Sequence, residues 1–250
     1  MLIDRLAQTK RRLIKNVGSK MLWSFERTME RRSLVGTEAV LDPAQFPFVK
    51  GLESSATGMR RELDAVLEHR ALHPSFHEIS PDQRSITSDD RWKTFFLYGF
   101  GHRSDDNCAR CPLTAAALAS IPGLVTAFFS ILSPGKHIPQ HRGVYKGLVR
   151  VHLGLKVPAL AERCRMQIGG TMMSWQSGKA FVFDDTYPHE VWNGTEEERV
   201  VLLLDVLRPL PTPFALLNKA LVRAVAASPY VTDGVKNARA WERRFADVWR

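Results

Sequence analysis

Between residues 125 and 207 the chain breaks into short β-like runs set apart by Gly, Pro and Asn, and this pattern limits the fold more than anything else in the sequence. The runs are 125–132, 147–155, 163–168, 171–175, 180–183, 189–192 and 200–207. Short strands with frequent turns predict a sandwich or barrel. Pro209, Pro211 and Pro213 close the region.

Helical patterns flank it. In residues 1–33, Leu2, Leu6, Leu13, Val17 and Met21 recur at spacings of four and seven with Lys and Arg between them, a basic amphipathic pattern. Residues 36–47 read as a turn-rich connector, and Met59, Leu63, Val66 and Leu67 mark a second helix. The aromatic run from Trp92 to Phe100 reads as core. A polar turn is expected over 102–107 and a short helix over 112–119. Two further helices are expected over 214–227 and 231–249. The predicted organisation is a helical segment over 1–90 packed on a β core over 91–210, followed by basic helices over 211–250.

At 250 residues, 44% hydrophobic and 24% charged, the chain can bury a sizeable core without disulfides or metal. The apolar stretch 124–132 is interrupted by Thr126 and Ser130 and falls well short of the roughly 20 residues of a membrane span. Early charges from Asp4 to Lys15 leave no room for a secretory h-region. Three cysteines suit a reducing cytoplasm. The net charge of +9 sits at the ends: residues 1–32 hold nine Lys/Arg against three Asp/Glu, and residues 211–250 seven against three. That placement predicts either solvated helix faces or peripheral contact with an anionic membrane, on its cytoplasmic side. The basic residues are not interleaved with aromatics across a sheet, so a nucleic-acid partner is not expected.

Strand alternation distributes the chemistry. In 147–155, Leu148, Arg150 and His152 share one face while Val149, Val151 and Leu153 take the other. In 199–207, Arg199, Val201, Leu203 and Asp205 share a face, with Arg199 where a barrel mouth would be. His141 and His189 read either as hydrogen-bonded structural histidines of a β protein or as metal ligands, and spacing alone favours the first. A non-haem Fe(II) site takes two His and one carboxylate, with H-x-[DE] as the usual first element. Here that element is His141-Arg142-Gly143, with Gly at the carboxylate position. Asp184 or Asp185 could orient His189 or cap a turn. His137 is read as a non-ligand. Cys108 and Cys111 have redox-motif spacing but lack the further ligands that zinc would need, and are read as two local thiols.

Four segments, in order, resemble the aspartyl/asparaginyl β-hydroxylase family: Pro134-Gly135-Lys136-His137-Ile138-Pro139-Gln140-His141-Arg142-Gly143; Leu148-Val149-Arg150-Val151-His152-Leu153-Gly154-Leu155; Gly178-Lys179-Ala180-Phe181-Val182-Phe183-Asp184-Asp185 with His189-Glu190-Val191-Trp192; and Arg199 followed by Leu204-Asp205-Val206. The resemblance runs from about Trp92 to Pro209. It implies a mainly β protein with flanking helices, its core a double-stranded β-helix of the jelly-roll, cupin-like kind. It also implies dependence on Fe(II), 2-oxoglutarate and O2.

By the same resemblance, His141 and His189 are catalytic metal ligands, Arg199 with Ser130 holds the distal carboxylate of 2-oxoglutarate, and Arg150 and His152 lie near acid groups of co-substrate or substrate. Gly143 fits the branch of the family that also carries Gly there. A guanidinium fork suits a carboxylate because it can pair bidentately.

The family has two substrate branches: aspartyl or asparaginyl residues in peptides, and acyl chains of lipids. Leu41-Asp42-Pro43-Ala44-Gln45-Phe46-Pro47 and the basic segment after Pro209 resemble the lipid branch. So does Leu148, where the peptide branch typically has Arg. Gly143 stands against it, because lipid A hydroxylases carry Asp there. The expectation is a dioxygenase hydroxylating an unactivated C–H bond, with a membrane-lipid acyl chain slightly favoured over a peptide. The rival of another class is a non-catalytic cupin-like binding protein.

Overall fold

A computed structural model describes residues 25–143 and 145–245. The predicted helix over 1–33 therefore lies largely outside the described residues; its last part, 25–31, is helical. Eleven strands form two antiparallel sheets: β1 (Val40–Leu41), β2 (Trp92–Gly99), β3 (His102–Arg103), β4 (Leu124–Leu132), β5 (His137–His141), β6 (Leu148–Lys156), β7 (Cys164–Ile168), β8 (Thr171–Ser174), β9 (Ala180–Phe183), β10 (His189–Asn193) and β11 (Arg199–Leu207). The large sheet has the order β1-β9-β6-β11-β4-β2-β3 and the small one β5-β10-β7-β8. Two facing sheets with strands alternating between them make a jelly roll of the cupin-like kind, as expected.

Besides the helical residues 25–31, the described residues hold α1 (Phe48–Glu68), α2 (Phe76–Ile79), α3 (Asp105–Arg110), α4 (Pro112–Ala119), α5 (Phe214–Ala226) and α6 (Pro229–Phe245). Helix α1 forms because Val49, Leu52, Ala56, Met59, Leu63 and Val66 repeat at spacings of three and four, and that stripe is buried. It covers the outer face of the large sheet, where Val149, Val151, Leu153, Leu202, Leu204 and Val206 point.

The inner face, between the sheets, carries Phe128, Phe181, Phe183, Val201 and Leu203 packed on Ile138, Met166, Trp175 and Val191. Buried cores of this kind stabilise by about 25 cal/mol per Å² of apolar surface removed from water.

The structure differs from the sequence reading in three places. Residues 137–141 form a strand although Pro139 cannot donate to a ladder. β5 is an edge strand of the small sheet, so the missing N–H costs no pairing. Residues 92–99 are a strand whose two faces are both largely buried, which erases the alternation that would mark it. The expected polar turn over 102–107 is in part helix α3, because Ser104 accepts from the Asn107 N–H as its cap and Asp105 and Asp106 fall in the first turn. Cys108 and Cys111 are accordingly buried in helical packing rather than in a loop.

Candidate active site

His141 ends β5 and His189 begins β10, and the two are direct cross-strand partners. Their rings lie 4.1 Å apart between centroids. In each, Nδ1 donates to the carbonyl two residues earlier: His141 to Pro139 at 2.8 Å, His189 to Tyr187 at 2.9 Å. A carbonyl can only accept, so Nδ1 carries the proton and Nε2 is the nitrogen that bears the lone pair. Burial pushes both pKa values down, His189 to about 3, with the neighbouring His141 adding to that shift. Both rings are therefore neutral at physiological pH, the form that ligates a metal.

Gly143 and Asp185 meet beside this pair. The Gly143 N–H donates to the Asp185 carbonyl at 2.7 Å. A Cβ on Gly143 would lie 2.3 Å from Asp185 Oδ1 and 2.4 Å from Oδ2. The Asp185 carboxylate, carried by the turn between β9 and β10, thus fills the space a side chain at 143 would need, and glycine leaves room for it. Burial raises the pKa of Asp185, against the opposing pull of Arg150. Sequence reasoning weighed Asp185 only as an orienter or a cap. The one usable signal was a glycine where the pattern asks for an acid.

Asp184 takes the capping role. Its Oδ1 accepts from the Thr186 N–H and hydroxyl, at 3.0 and 2.6 Å, and its Oδ2 accepts from Arg208 Nη2 at 2.6 Å. Asp184 and Arg208 are fully buried as a pair. Arg208 also donates to the carbonyls of Lys146 and Gly36, at 2.7 and 3.2 Å, so one guanidinium ties together the turn that carries Asp185 and the loops around it. Breaking such a pair typically costs about 3–5 kcal/mol.

Arg150 and His152 project from β6 on the inner face, as alternation predicts. Arg150 is engaged with carboxylates: Nε and Nη2 bond Asp205 at 2.8 and 3.1 Å, and Nη2 lies 3.1 Å from Asp185. It fixes Asp205 and Asp185 as one charged wall of the site. His152 Nδ1 accepts from Trp175 Nε1 at 3.3 Å, so the proton is on Nε2, which is buried without a partner.

Arg199 is 2% exposed, and its Nε and Nη1 have no hydrogen-bond partner. The Trp175 ring lies 4.6 Å from its guanidinium carbon. Burial pulls the Arg199 pKa down to about 10. Unpartnered buried donors of this kind are costly to fold unless something binds them. Arg199 and His152 aim such donors into one region of the inner face, and the nearby arginine further lowers the His152 pKa. Ser130 is next on β4, opposite Val201, and its hydroxyl accepts from Trp92 Nε1 at 3.0 Å.

His137 is not with the imidazole pair: it bonds Glu190 at 2.6 Å and stacks on Trp192. Among the described residues, no group of three or more His, Cys, Asp or Glu is arranged to hold a metal ion. Two imidazoles are what the site offers.

A cavity of about 580 Å³ opens beside His141 and Gly143. Arg150, Asp185 and Asp205 line one end, and Trp92, Phe96, Phe128, Leu148 and Leu203 line its floor. The aromatic run from Trp92 is thus both core and cavity wall: Phe95 packs outward under α1, while Trp92 and Phe96 face the cavity.

The chain is 44% identical over 211 residues to an ornithine lipid ester-linked acyl 2-hydroxylase of Rhizobium tropici, covering 84% of this chain and 75% of that protein. It is 30% identical over 138 residues to the human aspartyl/asparaginyl beta-hydroxylase, covering 53% of this chain but only 18% of that protein. Among solved structures, a Pseudomonas putida prolyl-4-hydroxylase aligns with 62% of this chain and 88% of that one, at a TM-score of 0.39 and 20% identity. The family model for aspartyl/asparaginyl beta-hydroxylase matches residues 53–209. The chain belongs to the aspartyl/asparaginyl β-hydroxylase family.

Proposed function

We propose that this protein is an Fe(II)- and 2-oxoglutarate-dependent dioxygenase that hydroxylates an acyl chain of a membrane lipid. The observation that carries the reading is the coincidence of two adjacent neutral imidazoles, each with Nδ1 held by a backbone carbonyl, and a buried set of unpartnered donors on Arg199 and His152. The donor chemistry fits: His141 and His189 would hold the iron, and Arg199 with His152 and Ser130 would receive a carboxylate of 2-oxoglutarate. When bound, iron and 2-oxoglutarate supply the oxidative chemistry that inserts one atom of O2 into a C–H bond, with succinate and CO2 as co-products.

The chain's own groups do the rest. The backbone carbonyls of Pro139 and Tyr187 lock each ring in the ligating tautomer. Gly143 makes room for the Asp185 carboxylate at the open side of the pair, and Arg150 holds that carboxylate in place. Phe181, Phe183 and Trp175 around His152 keep water from the donors. The retained Arg199 and imidazole pair favour an enzyme over a binding protein that has lost turnover.

Substrate choice rests on the cavity and the lipid-acting relative. Leu148 lies in the wall next to Arg150, whose charge is already answered by Asp205 and Asp185, so the cavity is poorly suited to an acidic side chain. No helix of the described residues is long and apolar enough to cross a membrane. Instead, Leu34, Leu216 and Leu217 are exposed at 66%, 65% and 38%. Leu34 follows Arg32, whose guanidinium sits over the Phe214 ring at the start of the helix that carries Leu216, Leu217 and Lys219. Exposed leucines with a basic collar suit an anionic bilayer surface, on the cytoplasmic side.

Purified protein with Fe(II) should convert 2-oxoglutarate to succinate, and lipid extracts incubated with it should gain species one oxygen atom heavier in an acyl chain. Oxygen appearing in a peptide instead would move the assignment to the other branch. No succinate under any condition would end it.

A further inference from the structure

We propose that α5 and α6 turn the cavity into a ruler for acyl chains, with Val235 and Ala238 setting how much chain fits beyond the imidazole pair. The proposal deepens the lipid reading and rests on it.

The floor of the cavity is the inner face of the large sheet. Its residues run from Arg150 on β6, through Leu203 on β11 and Phe128 on β4, to Phe96 on β2 and Arg103 on β3. Neighbouring strands are about 4.8 Å apart, so four spacings give a span of about 19 Å. An aspartyl or asparaginyl side chain would occupy a small part of that length. An extended acyl chain would use all of it.

The roof is helical. Val231, Gly234, Val235 and Ala238 lie on one face of α6 and all line the cavity, joined by Val222 and Val225 of α5. The same stripe continues into Arg239, Glu242 and Arg243. The wall is therefore apolar along its first half and charged at its end, where Arg103 and Asp105 also stand as an ion pair. An apolar chain can run as far as that charged end and no further without burying charge against hydrocarbon.

A ruler has to be fixed, and α6 is pinned at two points, within the stripe and one turn beyond it. Asn237 donates from Nδ2 to the Glu78 and Ile79 carbonyls at 3.2 and 3.1 Å. Ser104 donates to Glu242 at 2.7 Å, and Asn107 to the same oxygen at 3.3 Å. Val235 and Ala238, on either side of the Asn237 anchor, are small, so the space in front of them is set by side-chain size rather than by backbone position.

The test is competition of short, medium and long saturated fatty acids against the fluorescent fatty acid cis-parinaric acid, using the full-length protein. Wild type should bind long acids most tightly. Val235→Trp and Ala238→Phe should weaken long acids by about tenfold or more while leaving short ones within a few-fold, moving the optimum to shorter chains. Val235→Ala, which removes volume and strains nothing, should move it to longer ones. If wild type binds no fatty acid, the lipid reading falls and the ruler with it. If the acids bind but all three variants keep the wild-type length profile, the ruler alone is overturned.

Discussion

The two faces of the large sheet share the same strands but are built for different ends. Beneath α1 the outer face is uniformly apolar: Val149, Val151, Leu153, Leu202, Leu204 and Val206 are all essentially without solvent contact. The inner face sets Arg150, His152, Arg199 and Asp205 among aromatics, and leaves donors of His152 and Arg199 without partners. Histidines show the contrast most directly. His73 lies against Phe95 of the outer core, and its Nε2 donates to the Val66 carbonyl at 2.9 Å, a closed structural contact. His141 and His189 each use Nδ1 to fix the ring against a backbone carbonyl, and the two rings face each other across the strand pair. The outer face holds the fold together, and the inner face carries polar groups, of which donors on His152 and Arg199 have no partner among the described residues.

Substitutions can break that division. The largest effect is expected at the imidazole pair: His141→Ala or His189→Ala should lower succinate formation by at least about a hundredfold while thermal stability stays close to wild type. Normal turnover in both variants would remove the proposed metal ligands. Next, Leu202→Ala on the outer face should cost about 2–5 kcal/mol in chemical denaturation and leave the KM for 2-oxoglutarate unchanged. A raised KM with intact stability would mean that the faces are not separable.

His73 gives a pH signature for the outer face. Burial holds its pKa down at about 4 in the folded protein, below the ordinary value of 6.5. Its neutral form therefore belongs to the native state. The stability it supports is complete above about pH 6.5 and is lost as pH falls toward about 4, by about 2–3 kcal/mol. His73→Gln should flatten that part of the stability curve relative to wild type. Parallel curves would place the acid sensitivity elsewhere. The smallest effect sharpens the inner-face reading. Arg199→Met should raise the KM for 2-oxoglutarate about tenfold or more, yet leave the ligand-free protein as stable or about 1 kcal/mol more so, because it removes an unpaired buried charge. A large loss of stability would show that the arginine is satisfied within the fold.

Much of the site was legible in the sequence. A strand alternates with a period of two, so the faces of 147–155 and 199–207 follow from residue order alone, and Arg150, His152, Arg199 and Asp205 lie on the predicted side. The helix marked by Met59, Leu63, Val66 and Leu67 is also there, though Gly51 and Gly58 with the serines between them hide its first half, which begins at Phe48.

What the sequence by itself determined, then, was a core of short β-strands and the face on which each charged group lies, because those depend on local periodicity, while the choice of His141 and His189 rested on the family resemblance. Only tertiary structure decided that β5 could carry Pro139 at a sheet edge, that Asp185 would stand in the space left by Gly143, and that α6, more than eighty residues beyond His141, would roof the cavity beside it. Those relations join segments far apart in the chain. They are set by which surfaces exclude water against each other, and no local spacing records that.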